Sequence, residues 1–495
     1  MSLTAPAPNV EAQHAGNRWV VLVIACMAQF MVVLDATVVN VALPSIQHGL
    51  SFSAANLQWV VNAYTLIFGG FLLLGGRAAD LLGRKRLFVA GVILFSAASL
   101  LNGVAQSSGM LIFGRGLQGL GGALVSPAAL AIITTTFTDQ AERTKALGVW
   151  SAIAAGGGAV GLIMGGVLTD VASWRWVFFV NVPVGIITIA LALRYVAESR
   201  VRTAQRSFDI AGAVTVTAGL VLLVYTIVKA QEFGWGSGRT VGLGAVAFGL
   251  LAAFLAIERR SAAPLMRLSI FRVRTIAVSD TVLLLAASGL FGMFFFASLY
   301  VQEILGYSPL KAGLAFLPIT AGIIIGAGLS QQLIKRVGVR NISIFGLVLA
   351  SAGMLYLTQL PVNGSYVSDL LVGLLPMSIG MGLVFVPITL LATSGVSNDD
   401  SGLASGLFNT AQQVGGSLGL AILSTLAASQ TSKLLSDHST TVIAARVSGY
   451  HVAFLAASIM LAAGAVIMAF GLRQRHMKEV EIELSEGSAA PAAVA

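Results

Sequence analysis

Between Trp19 and Leu43 the sequence carries one charged residue, Asp35, and apolar runs of this kind recur along the whole chain. A helix needs about 20 apolar residues to cross the hydrocarbon core of a bilayer. Runs of that length lie near 19–43, 57–76, 87–105, 109–137, 146–168, 176–197, 208–228, 240–257, 275–302, 312–334, 341–360, 367–392, 404–428 and 450–472, fourteen in all. Composition agrees: 57% of residues are hydrophobic and 10% are charged, against about 25% charged in a soluble domain. A soluble protein this apolar would expose large patches and aggregate. The expected fold class is all-α integral membrane, with membrane lipids as its surroundings.

The rest of the composition narrows the function. One cysteine, Cys26, and five histidines supply neither a disulfide framework nor a metal-ligand cluster. No lysine follows a glycine, so there is no Walker-type phosphate loop. The loops hold no nucleophile–base pair and no metal set. The chain is expected not to be an enzyme and to carry no cofactor or metal. Its first apolar run is too long for a cleavable signal and has no basic stretch before it. The net charge of +9 reads as loop charge that sets topology, with no nucleic-acid partner.

Alternate loops differ sharply in charge. With a cytoplasmic N-terminus, the inner segments hold twenty-two of the 29 Lys and Arg, and the outer loops hold six: Arg175, Lys229, Arg239, Lys311, Lys433 and Arg446. Arg115 remains inside a span. Positive loops stay inside, so both termini are expected in the cytoplasm of a bacterium, on a multi-pass plasma (inner) membrane protein. Residues 1–17 and 474–495 read as polar cytoplasmic tails.

The two halves of the chain resemble each other weakly. LSFSAANL (50–57) matches LGYSPLKAG (305–313), GRAADLLGRKR (76–86) matches GLSQQLIKRVGVR (328–340), and GLGGALVSPAAL (119–130) matches GMGLVFVPITLL (380–391). The offset is about 255–260 throughout, which six spans plus two inserted spans account for. The expected plan is a six-helix bundle over 18–200, two inserted helices over 201–260, and a second six-helix bundle over 261–473. Parallel repeats of this kind build one major transporter fold.

The loop GGRAADLLGRKRL (75–87) joins the second and third runs. Gly76 and Gly83 permit close approach and tight turns. Asp80 can cap a helix start, and Arg84, Lys85 and Arg86 can meet it or anionic headgroups. The spacing G-x-x-x-D-x-x-G-R-K resembles the signature loop of the major facilitator superfamily. LDATVVNVALPSI (34–46), GRGLQGLGGALVSPAAL (114–130), WRWVFFVNVPVG (174–185) and SGLFNTAQQVGGSLGLAI (405–422) are similar to motifs of its fourteen-span drug:proton antiporters, the EmrB/QacA type. The resemblance extends to about residue 475. It implies two six-helix bundles plus two inserted helices, and a conformational role for Gly76, Asp80, Gly83, Arg84 and Lys85.

An acid at mid-bilayer costs about 2.5–3.5 kcal/mol on insertion scales and is rare without a function. Counting back from Pro44 sets Asp35 roughly 13 Å below the outer face, and Arg115 falls roughly 9 Å below it. A neighbouring guanidinium favours the charged carboxylate and desolvation the protonated one, so such an acid can exchange a proton. The resemblance implies proton coupling for Asp35 and Arg115; the plain alternatives are a polar helix contact and a structural tether. Gly157, Gly161, Gly165 and Gly166 form a small-residue stripe where the antiporter motif has Gly-Pro; this chain has Gly161-Leu162. Gly415 and Gly419 repeat the device. Asn62, Tyr64, Gln118, Asp280, Asn409 and Gln412 are candidates for a substrate cavity, against bundle contacts for the amides and a helix-end cap or snorkelling for Asp280. Trp19, Trp59, Trp174 and Trp176 near run ends suggest interfacial anchors.

The expected function is proton-coupled efflux of lipophilic small molecules, neutral or monocationic, by alternating access in a monomer. The alternatives are a proton-coupled uptake symporter and a non-transporting membrane sensor.

Overall fold

The computed structural model describes residues 10–200, 208–261, 264–394, 401–438 and 440–472. Among these residues all regular structure is helical. The first half contains α1 (Arg18–Leu50), α2 (Ala54–Leu82), α3 (Arg84–Gly103), α4 (Ser108–Thr136), α5 (Gln140–Val171) and α6 (Trp176–Tyr195). A hairpin of α7 (Ile210–Phe233) and α8 (Gly238–Arg260) follows. The second half contains α9 (Arg274–Ile304), α10 (Pro309–Val337), α11 (Val339–Gln359), α12 (Tyr366–Thr393), α13 (Ser401–Ser436) and α14 (Val442–Gly471). Among the described residues, 13 helices are long and apolar enough to cross a membrane. The exception is α13, which has 36 residues but is diluted by Asn409, Gln412, Gln413 and Ser417. Backbone helix already starts at Val10, inside the expected tail 1–17. Residues 1–9 and 473–495 lie outside the described residues.

Polar residues start these helices where the sequence leaves the apolar phase. Ser107, Asp139, Ser237, Ser308 and Thr441 each accept a bond from a first-turn N–H of α4, α5, α8, α10 and α14, satisfying donors that have no partner in the helix itself. Gly83 and Gly338 separate α2 from α3 and α10 from α11, with φ of 116° and 84°, a region that L side chains avoid. They stand 255 positions apart, the offset read between the two halves. Pro127 in α4 and Pro387 in α12 also match within that offset. In both halves glycines let the fourth helix lie against the backbones of its neighbours: Gly119 meets Tyr64 and Gly121 meets Phe95, while Gly380 meets Gly346 and Gly382 meets Ile323.

The bundle has a basic end, marked by the α2–α3 loop, and a far end, marked by residues 51–53 and 305–308. The buried apolar side chains show how the halves meet. One contiguous cluster fills the second half and continues into the far ends of α1, α2, α4 and α5, through Val38, Ala42, Ile46, Leu57, Leu111 and Leu162. The basic-end core of the first half, from Val21 and Met31 to Phe95 and Ile133, is a separate cluster. The halves are thus joined at the far end. The inserted hairpin lies against their seam: Thr217 of α7 sits at Gly70 of α2, Trp59 packs on Tyr225, and Thr425 of α13 donates to the Ile227 carbonyl at 3.4 Å.

The tryptophans divide. Trp19 and Trp176 are exposed as anchors should be, but Trp59 and Trp174 are buried. Trp59 packs under α7, and Trp174 lies beneath the Arg175 guanidinium at 4.5 Å. Arg175 in turn donates to the Gly103 and Ala105 carbonyls at the end of α3. The expectation of interfacial anchoring fails for these two because neighbouring elements cover the run ends on which they stand.

Candidate functional site

Asp35 is fully buried at the middle of α1, and the helix continues through Pro44 to Leu50. The acid is therefore roughly 22 Å along the helix from its far end, deeper than a count from Pro44 implies. Arg115 Nη1 donates to its Oδ2 at 2.5 Å. Gln118 Nε2 and Asn181 Nδ2 donate to its Oδ1 at 2.6 and 3.1 Å. Every partner is a donor, the set that a carboxylate accepts.

A second ring of groups fixes these donors. Gln118 Nε2 also donates to Ser99 Oγ at 2.7 Å, and its Oε1 accepts from Asn102 and from Arg115, each at 2.8 Å. Asn181 reaches Ser99 Oγ at 3.3 Å. Arg115 Nε donates to the Val60 carbonyl at 2.8 Å, and the guanidinium lies 4.4 Å above the Tyr64 ring. The network thus ties α1, α2, α3, α4 and α6 through one buried carboxylate. Breaking such a pair from one side leaves an uncompensated charge and costs about 3–5 kcal/mol.

The network accounts for three of the cavity candidates as bundle contacts in this structure. Asn62, Tyr64 and Gln118 are sealed from solvent: Asn62 donates to Gln58 Oε1, Tyr64 supports Arg115, and Gln118 belongs to the Asp35 shell. Polarity within a helix does not report which way a side chain points. Asp280 is also buried, and neither carboxylate oxygen has a hydrogen-bond partner among the described residues. It stands within α9, so it neither caps the helix end nor snorkels. Asn409 is exposed and Gln412 half-buried on α13, and these two remain open to a cavity.

Ser99, Asn102 and Asn181 were not legible as site residues. Asn181 lies inside WRWVFFVNVPVG, where an amide in an apolar run is the available signal.

The glycine stripe places α5 on the other side of α1. A side chain at Gly161 would run into Thr37, and one at Gly165 into the Val38 backbone. Gly166 instead faces Pro309 and Leu310 of α10 in the opposite half. Gly415 and Gly419 of α13 meet Leu284 and Ser288 of α9 in the corresponding arrangement.

Pro44 completes the far-end seam. Lacking an N–H, it cannot bond the carbonyl four residues back, which leaves the Asn40 carbonyl free. Ser298 Oγ of α9 donates to that carbonyl at 2.7 Å, and Gln302 Nε2 donates to the Val41 carbonyl at 2.9 Å. Nearer the middle of the seam, Thr65 and Ser417 hydroxyls join α2 to α13 at 2.5 Å.

At the basic end Asp80 Oδ1 accepts from Arg84 Nη2 at 2.8 Å and Nε at 3.2 Å, and Gly76 lies near Pro127 of α4. Lys85 Nζ donates to the Leu193 carbonyl at 2.8 Å. The α3 N-terminus is capped by Glu198, whose carboxylate accepts from the Lys85 and Arg86 N–H groups at 3.2 Å each. Gly83 passes so close to that carboxylate that a Cβ there would collide with it. The loop thereby fastens α2, α3 and the end of α6 together; Glu198 is the member that the motif did not reveal.

Comparison with known proteins places this arrangement. The family model described as Major Facilitator Superfamily matches residues 25–420. The puromycin resistance protein of Streptomyces alboniger is 42% identical over 457 residues, covering 91% of this chain and 90% of the relative. The cephamycin export protein of Amycolatopsis lactamdurans is 41% identical, covering 83% and 85%. Among solved structures, a bacterial homolog of the human lysosomal transporter Spinster superposes with a TM-score of 0.66 at 17% identity, over 94% of this chain and 98% of that one. The helical plan, the repeat and the family match lead to one conclusion: the chain is a multi-pass membrane protein that belongs to the Major Facilitator Superfamily.

Proposed function

We propose that this chain exports lipophilic small molecules in exchange for protons across the bacterial plasma membrane, as a fourteen-span monomer with both termini cytoplasmic. The observation that carries the reading is the fully buried Asp35, joined to Arg115 and two amides where five helices meet. Two relatives named for puromycin resistance and cephamycin export support efflux as the direction.

The geometry supplies a route from proton to seam. Uptake of a proton at Asp35 removes the charge that holds α1 to Arg115, while Arg115 keeps its bond to the Val60 carbonyl. Five and six residues further along α1 are the Asn40 and Val41 carbonyls that hold Ser298 and Gln302. The charge change thus acts roughly 8 Å from the far-end clamp along one rigid helix. Substrate and proton bias the same two-state element, which is what coupling requires. The substrate is neutral or monocationic: Asp35 is the one acid in this network, and two positive charges would lack compensation.

Cells expressing the chain should accumulate less of a lipophilic antibiotic, and a protonophore should erase the difference. Higher accumulation would indicate uptake instead, and unchanged accumulation a sensor. In the same strain, resistance to a monocation should exceed resistance to its divalent relative; the reverse order contradicts the substrate class.

Two further outcomes test the parts. Gly236, in the α7–α8 turn with open space around it, should label from outside intact cells after Gly236→Cys, since the native Cys26 is buried. Labelling only after lysis would contradict the orientation. Asp80→Asn should lower the maximal transport rate about tenfold, a barrier change of ~1.4 kcal/mol, with KM little changed, because the loop fastens helices to one another at the basic end. A raised KM at full turnover would place Asp80 in binding.

A further inference from the structure

A cleft of about 290 Å³ lies at the far end, between the two halves and the inserted hairpin. Gln47 of α1 lines it from the first half and Gln231 of α7 from the hairpin, while Glu303, Ser424, Arg446 and Tyr450 line it from the second half. Gln47 is roughly 18 Å along α1 from Asp35, so the cleft is separate from the buried network.

Three features of its walls point to a ligand. The last turn of α9 widens into a π turn, Tyr300–Ile304, a device that re-aims side chains at functional positions. It sets Glu303 into the wall, where its side chain is only 11% exposed, while its partner Arg446, at 2.8 Å, reaches in from the rim and is 44% exposed. Ser424 is buried, and its hydroxyl has no hydrogen-bond partner among the described residues, a cost of about 1–3 kcal/mol unless something fills the site. The remaining surface is largely apolar and aromatic, with the Phe296 and Tyr450 rings 5.6 Å apart.

We propose that this cleft binds a lipophilic amine, an ammonium group on an apolar body, and that the bound amine holds the far end of the seam closed. The sign of the charge follows from the burial asymmetry. An incoming ammonium takes the place of the exposed Arg446 at the buried carboxylate, and the guanidinium swings into water. An anion would draw Arg446 away and leave Glu303 buried without a counter-charge. Phe296 and Tyr450 line the wall and give the apolar body an aromatic surface, and the Ser424 hydroxyl gains a partner. Because the walls come from both halves, the site is complete only while the halves are joined at the far end. Occupancy therefore favours that state by mass action. The inference rests on the fold alone and not on the proposed transport direction.

The test uses the full chain, purified in detergent, and three probes with one apolar body: 4-phenylbutylamine, 4-phenylbutanol and 4-phenylbutyrate. Calorimetry should show the amine binding at least about tenfold more tightly than the alcohol or the acid. Glu303→Gln should weaken the amine about tenfold, and Arg446→Ala, which removes the competing cation, should strengthen it. Equal binding of amine and alcohol, an unchanged affinity in Glu303→Gln, or a loss in Arg446→Ala overturns the site. Two cysteine reporters keep the result independent of those variants. Ala428→Cys, in the cleft wall, should be shielded by the amine from a maleimide; an unshielded cysteine places the binding elsewhere and overturns the assignment. Leu162→Cys, buried in the seam against Gly313 on α10, should react more slowly with amine present, because it reacts when the far end opens. An unaltered rate there overturns the closing effect.

Discussion

Asp35→Asn is expected to abolish uphill, proton-driven export while leaving downhill exchange of the same substrate in place. A proton moving inward releases about 2.3 kcal/mol per 100 mV and about 1.4 kcal/mol per pH unit. Together, about 3.7 kcal/mol sustains a substrate gradient of a few hundred-fold for a neutral molecule at one-for-one exchange. The amide does not titrate, so the expected gradient collapses to unity. The change leaves the Arg115 charge uncompensated and should lower stability by up to about 3–5 kcal/mol, but Arg115 keeps its bonds to the Val60 carbonyl and to Gln118 Oε1 and the asparagine oxygen can still accept from the guanidinium, so the fold should survive. Asp35→Glu retains an acid and should retain part of the pumping. Measuring accumulation and counterflow in the same vesicles separates the two activities. Loss of counterflow along with pumping would make Asp35 a structural residue.

The second large effect concerns adjacent glycines that face different neighbours. A side chain at Gly166 would press on the Pro309 and Leu310 backbone of the opposite half, with a Cβ 2.7 Å from the Pro309 carbonyl oxygen. Backbone cannot yield as a flexible side chain does. Gly166→Val should therefore oppose far-end closure while each half still folds. An overpacking penalty of about 2 kcal/mol shifts the balance between the two states about thirtyfold. Transport should fall to near background at an almost unchanged melting temperature, and Leu162→Cys in that background should label faster. Gly165→Val meets the Val38 backbone within the same half, with a Cβ 2.7 Å from the Val38 carbonyl oxygen. It should lower the melting temperature, because α1 and α5 can no longer pack. Identical behaviour of the two variants would contradict the assignment of Gly166 to the seam between halves.

The sequence made the periodic and the improbable legible. Long apolar runs marked the helices, the repeat offset located Gly83 opposite Gly338, and two charges in apolar surroundings, Asp35 and Arg115, turned out to be partners at 2.5 Å. The neighbours that complete the site were not legible, because they are brought together by tertiary packing. Asn181 lies 146 positions from Asp35, and Glu198 stands 113 positions beyond the loop it caps. The side on which a polar residue emerges was hidden as well. Asn62, Tyr64 and Gln118, which the sequence left open between a cavity and bundle contacts, turn into the protein, and Trp59 and Trp174 are covered where interfacial anchors were expected. Pro44 looked like the end of a span. It instead frees a carbonyl for the opposite half, a role that depends on where Ser298 comes to lie.

The central claim is that proton transfer at Asp35 drives export. The most direct measurement is substrate-induced proton movement in vesicles reconstituted with purified protein, followed across a pH series. For the wild-type chain, addition of a transported antibiotic should produce proton flux opposite in direction to the substrate, and for Asp35→Asn no flux above that of empty vesicles at any pH. Substrate-coupled proton flux of wild-type size in the Asp35→Asn protein would contradict the claim.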